Sequence, residues 1–156
     1  IYFLIFGIFL AGALIFFTIS SSSADSFPEV KNFDGEIMLY KSGSCGCCGL
    51  YQGYFAREGN SDLETINLES LDETKRKYGI PPQMESCHTI IVGNYFVEGH
   101  VPLEAVEKLL REKPNIKGIA MPGMPSGSPG MPGAKNGDFV IYGVNQDGTT
   151  FEFARL

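Results

Sequence analysis

All four cysteines of this 156-residue chain fall into one pattern: Cys45, Cys47 and Cys48 in the run SGSCGCCG, and Cys87 in ESCHT. Three thiols within four residues are too close together to be three independent buried hydrophobes. The intervening glycines let the backbone wrap around something. Two chemistries suit such a cluster: capture of a soft metal such as Cu(I), and thiol–disulfide exchange. Cys45 and Cys48 form a C-x-x-C pair at the expected start of a helix, where backbone N–H groups and the helix dipole favour thiolate. Cys47 complicates plain dithiol redox chemistry, because a third adjacent thiol can trap the wrong disulfide. For a thiophilic metal the extra donor is useful. Four thiolates could hold Zn tetrahedrally, but all-thiolate zinc sites usually draw two cysteines from each of two knuckles. Cu(I) accepts two- and three-coordination and bridging thiolates, so it suits the three-plus-one spacing, as a single ion or a multinuclear cluster. Iron–sulfur spacings do not match.

Other donors are few. His88 follows Cys87 directly and is a candidate ligand or hydrogen-bond partner, although strand alternation predicts that it points away from the sulfurs. His100, at a strand end, reads as structural. Met121, Met124 and Met131 are candidate thioether donors for copper; packing of an irregular loop is the competing reading for them, and for Met84. Glu98, Asp138 and Asp147 show no partner pattern for acid–base work. No nucleophilic serine motif or phosphate loop occurs, so hydrolytic chemistry has no support. Twelve basic against 18 acidic residues give a net charge of −6 with no basic stripe, which argues against a nucleic-acid partner.

The elements that must position these groups follow from periodicity. Glu36–Ser42 reads as a strand and GSCGCCG as a turn, and Leu50, Tyr51, Tyr54 and Phe55 fall at helical spacing up to Gly59. A short strand over Glu64–Leu68 precedes a helix with Ser70 and Glu73 as a capping box, running to Tyr78 and stopped by Gly79, Pro81 and Pro82. SCHTIIVG and YFVEG read as strands joined at Gly93-Asn94, hence antiparallel. Leu103, Val106, Leu109 and Leu110 lie on one face of a helix that begins at Pro102 and ends at Pro114. The stretch PNIKGIAMPGMPSGSPGMPGAKNG shows no period and reads as a long functional or irregular loop. Phe139–Val144 and Thr149–Phe153 read as a closing hairpin. The element order, with cysteines on the turn between first strand and first helix, predicts an α/β, thioredoxin-like domain over 36–156 with a C-terminal β-hairpin. In that architecture the loop before the third strand, here carrying Cys87, abuts the C-x-x-C turn.

Residues 1–19 are apolar and uncharged, long enough for the ~30 Å hydrocarbon core of a bilayer. The expectation is one transmembrane helix over 1–20 that acts as a retained anchor, with an uncleaved signal segment and a buried helix as alternatives. Residues 21–35 read as a tether in which Phe27, Val30 and Phe33 can pack on the domain. The acidic outgoing flank (Asp25, Glu29) is compatible with a domain on the extracytoplasmic side.

LYKSGSCGCCG, then YGIPPQMESCHTIIVGNYFVEGHVPLEAVEKLLREKP, then IAMPGMPSGSPGMPG, resemble a family of small exported metal-binding proteins linked to copper resistance. The resemblance spans residues 36 to about 154. It implies a thioredoxin-like domain, copper held by Cys45, Cys47, Cys48 and Cys87, and a shared core that includes the Gly99–Pro102 step and the Met/Pro loop at 120–133. A role in interconverting copper oxidation states has been suggested for such proteins. The apolar N-terminus departs from the family's soluble form and suggests membrane lipid, and a larger membrane complex or a copper enzyme, as partners. The leading expectation is therefore a membrane-anchored Cu(I)-binding protein for copper homeostasis, delivery or redox handling, a metal-binding protein more than an enzyme. A thiol–disulfide oxidoreductase, and an accessory subunit with Cys45–Cys48 and Cys47–Cys87 disulfides, are the alternatives.

Overall fold

A computed structural model describes residues 26–156. The expected membrane helix over 1–20 lies outside the described residues. Among those residues no helix is long and apolar enough to cross a membrane.

One seven-stranded mixed sheet organises the protein, in the order β2-β1-β3-β4-β5-β6-β7. The strands are β1 (Ile37–Ser42), β2 (Glu64–Leu68), β3 (His88–Val92), β4 (Tyr95–Gly99), β5 (Ile116–Met121), β6 (Val140–Asn145) and β7 (Thr150–Arg155). The helices are α1 (Pro28–Lys31), α2 (Gly46–Tyr54), α3 (Asp72–Tyr78) and α4 (Leu103–Glu112). β1 runs parallel to β2 and antiparallel to β3, and the two-residue turn makes β3 and β4 antiparallel. α4 is the crossover between the parallel strands β4 and β5, and β6 and β7 close the sheet as an antiparallel hairpin.

Alternation along β1 divides the core. Ile37 and Leu39 enter the larger cluster with Tyr51 and Phe55 of the α2 segment and Val106 and Leu109 of α4. Met38 and Tyr40 face the other side, with Ile80, Met84, Ile91 and Phe96. Met84 is thus core filling. α2 continues through one π turn to Gly59, and α3 ends on Gly79 in the left-handed region. The start of α3 differs from the expected capping box: Leu71 is the N-cap with no side-chain cap hydrogen bond, and the Ser70 hydroxyl before it accepts from the Asp72 amide at 3.1 Å.

One expectation changes, while the segment read as tether packs on the domain through Phe27, Val30 and Phe33 as its apolar residues allow. Val30 is fully buried, and the Glu107 carboxylate accepts from the amides of Glu29 and Val30 at 3.0 and 3.1 Å. Those amides open α1, where no intrahelical partner exists. The stretch read as a period-free loop contains β5. Five of its six residues are buried, so neither alternation nor helical spacing could appear. Gly118 belongs there because a Cβ would lie 2.2 Å from the Phe96 carbonyl oxygen.

Candidate metal and thiol centre

β1 delivers the chain to the cysteines. After Ser42 a turn leads to Cys45, the N-cap of α2, whose sulfur accepts from the Cys48 amide at 3.4 Å. Cys45 and Cys48 are joined as a disulfide; Cys47 and Cys87 are free thiols. The Cys47–Cys87 bridge of the accessory-subunit alternative is therefore not formed. Cys47 Sγ lies 3.5 Å from Cys45 Sγ, and Cys48 Sγ lies 3.5 Å from the Cys87 carbonyl oxygen. All four sulfurs lie within 4.8 Å of one another. The three-plus-one spacing thus becomes one centre, with Cys87 brought in by the loop before β3.

Two imidazoles join it. Cys87 Sγ is 3.1 Å from His100 Nε2 and 3.4 Å from His88 Nδ1, and these three residues form a second potential ligand group. His100 Nδ1 lies 2.7 Å from the Pro129 carbonyl oxygen. A carbonyl only accepts, so Nδ1 carries the proton and Nε2 presents its lone pair to Cys87. There it accepts from the thiol or is free for a metal. His100 is the functional candidate that sequence reading passed over as structural. For His88 the alternation argument fails because Cys87 precedes β3 and is not bound by its pleat, so adjacent side chains meet.

The centre is half-buried and its floor is aromatic. Tyr51 packs 4.6 Å from His88 and 5.5 Å from His100 between ring centroids, and its hydroxyl donates to the Val101 carbonyl at 2.6 Å. Burial pushes the Cys87 thiol up to about 11, with the neighbouring Cys47 adding to the effect. Burial, helped by the nearby His100 and Lys75, pushes His88 down to about 3. Burial lowers His100 as well. Both histidines are therefore held neutral, the state in which an imidazole ligates a metal.

The Met/Pro loop forms one wall. Gly130 approaches α2 so closely that a Cβ would sit 2.7 Å from the Tyr51 amide nitrogen and 2.9 Å from the Cys47 carbonyl oxygen. Of its candidate donors, Met121 is not in the loop but buried in β5, Met124 is exposed, and Met131 is half-buried. A cavity of about 740 Å³ lies at the other end of the sheet beside Phe33, Gly93, Tyr95 and Lys113, and no thiol or imidazole lines it.

Fold and site together define a mixed α/β protein with a thiol–imidazole centre able to hold a soft metal. A family model described as "Protein of unknown function, DUF411" matches residues 84–131. Two solved structures, titled "Copper resistance protein copG- Form 2" and "Copper resistance protein copG- Form 1", are each 33% identical to the chain, with TM-scores of 0.71 and 0.70. Each alignment covers 77% of this chain, and 96% and 95% of the respective structures. No curated protein matches. The chain belongs to the family of these copper resistance proteins.

Proposed function

We propose that this protein binds Cu(I) as cargo, through the thiolates of Cys45, Cys47, Cys48 and Cys87 on a thioredoxin-like scaffold formed by the β2-β1-β3-β4 block and its helices. The observation that carries the proposal is the convergence of four sulfurs within 4.8 Å, with His88 and His100 at Cys87. Soft thiolates suit Cu(I), and neutral imidazoles complete a donor set without added charge. The Cys45–Cys48 disulfide must first take up two electrons and two protons to give two thiols. Copper capacity therefore depends on the redox state of that pair. The relatives' printed name, copper resistance protein, agrees with a role in copper homeostasis, delivery or redox handling.

The test is metal analysis of protein kept reduced throughout, with X-ray absorption to count sulfurs per copper. Serine at all four cysteines should abolish thiol-dependent uptake; unchanged copper stoichiometry in that variant sinks the proposal. One observation favours thiol–disulfide exchange as a second reading: the Cys45–Cys48 disulfide stands at the N-terminus of α2 with the Cys47 thiol beside it. That reading requires insulin-type reductase turnover that survives loss of Cys47 and Cys87. We further propose that the apolar run over 1–19 anchors the domain to membrane lipid on the extracytoplasmic side, beside a membrane complex or copper enzyme. Recovery of the full chain in the aqueous fraction after carbonate washing would refute the anchor.

A further inference from the structure

Glu98 touches none of the sulfurs, yet its carboxylate holds the segment that carries Cys87. It pairs across the β3–β4 ladder with Thr89, on the sheet face opposite His88, and is fully buried. Its Oε1 accepts from the Ser86 amide at 2.6 Å and forms an ion pair with Lys75 of α3. Lys75 Nζ also donates to the Ser86 carbonyl at 2.7 Å, and Glu98 Oε2 accepts from the Thr89 hydroxyl at 2.6 Å. Both backbone polar groups of Ser86 and the side chain of Thr89 are thus tied to a single ion pair. Cys87 and His88 are the two residues between these ties.

Stability alone does not account for this arrangement. Desolvating two charges costs about as much as their attraction returns, and well-packed apolar residues of equal volume often serve at least as well. What an apolar pair could not do is occupy the amide and carbonyl of the part-buried Ser86. With those groups unpaired, the chain around Cys87 would shift to find partners.

We infer that the Glu98–Lys75 pair is the positioning device for Cys87, fixing its reach to Cys47, Cys48 and His100. The placement of Cys87 stands on geometry; only its consequence for copper rests on the function proposed above.

Glu98→Gln alone leaves the buried Lys75 charge unpaired and risks unfolding. The variant to use is therefore Lys75→Met with Glu98→Gln, which removes both charges at similar volume, in the full chain. The first readout needs no metal. With the Cys45–Cys48 disulfide intact, alkylation by iodoacetamide is followed at Cys87 relative to Cys47 by mass spectrometry. The ratio rises several-fold in the double variant, while Lys75→Arg, which keeps charge and donors, retains the native ratio. The second readout is Cu(I) affinity of reduced protein by chelator competition, expected to fall about 10- to 100-fold, the usual effect of losing a group that orients a ligand. If the double variant loses its thermal transition, Thr89→Val reads the same ratio with one tie removed. An unchanged Cys87-to-Cys47 ratio in a folded variant overturns the inference. A changed ratio in a protein whose native form takes up no Cu(I) refutes the copper reading and leaves the positioning role standing.

Discussion

Acid should destabilise the disulfide form through His88. Its ring is fully buried against Tyr51 and His100, and its pKa falls from 6.5 to about 3. His100, Lys75 and Lys41 are the groups facing it that add to burial in opposing its charge. The unfolded chain binds a proton at this residue below pH 6.5, and the folded one does not until about pH 3. Between those values the unfolded state holds more protons, so stability is present above the unfolded pKa and is lost as pH falls. From 6.5 and 3, the loss relative to neutral pH is about 2 kcal/mol at pH 5 and about 3 kcal/mol at pH 4. Burial raises Glu98, which acts with the opposite sign, so a reference protein is needed. His88→Gln removes the titration at that ring and leaves Glu98 in place. Urea unfolding followed by circular dichroism or tyrosine fluorescence (the chain has no tryptophan) gives both stabilities at pH 7.5, 5 and 4. The native protein should lose about 2 kcal/mol more than the variant between pH 7.5 and 5. Parallel pH profiles for the two proteins would refute a His88 held neutral by its surroundings.

Three further outcomes follow from the same geometry. Gly130→Ala places a Cβ within 3.0 Å of α2 backbone at φ 80°, so it should destabilise by about 1–3 kcal/mol and perturb the His100 imidazole signals in NMR spectra, because Pro129 bonds that ring. Glu107→Ala removes the acceptor of the Glu29 and Val30 amides; thermal unfolding should report a loss of about 1–3 kcal/mol, with faster hydrogen exchange at those two amides. Denatured without reductant, the protein should titrate as two free thiols, the four cysteines less the two in the disulfide, and as four after reduction. Copper uptake should follow that change; uptake indifferent to reduction would count against a thiol site gated by Cys45–Cys48.

Much of the scaffold is legible because its signals are local. The turn at Gly93-Asn94, the polar Ser70 just before α3 and the apolar face of α4 each report on a few neighbouring residues, and the elements form close to where those residues place them. β5 escapes because it is buried along nearly its whole length and carries a glycine that Phe96 demands. Its signal lies in the neighbouring strand. His100 was recoverable in principle. A two-residue hairpin pairs Thr89 with Glu98, and carrying the same count two residues beyond that last pair, past the strand ends, sets Cys87 opposite His100. Counting register, not only element order, would have found the second imidazole. The Glu98–Lys75 contact joins β4 to α3 across the sheet face, and no sequence spacing encodes it. The oxidation state of the cysteines was not legible either, since C-x-x-C spacing serves a disulfide and a metal equally well.

The two halves of the centre are held in different ways, and the difference bears on what it can do. Cys87 is fixed: an ion pair holds the residue before it, and His100, itself anchored to Pro129, meets its sulfur. Cys45, Cys47 and Cys48 sit at the opening of a helix that carries Gly46 and Gly49, where an added Cβ would meet nothing within 4 Å. Packing within the chain therefore does not require glycine at those positions, although Gly49, inside the helix, costs it about 0.8–1 kcal/mol relative to alanine. What glycine supplies is backbone freedom next to the three sulfurs that must rearrange when Cys45–Cys48 opens. The proposed change between a disulfide and a metal-bearing thiolate set would need one donor that stays and others that move. A site serving only as a structural disulfide would need neither the buried clamp on Cys87 nor the deformable turn opposite it.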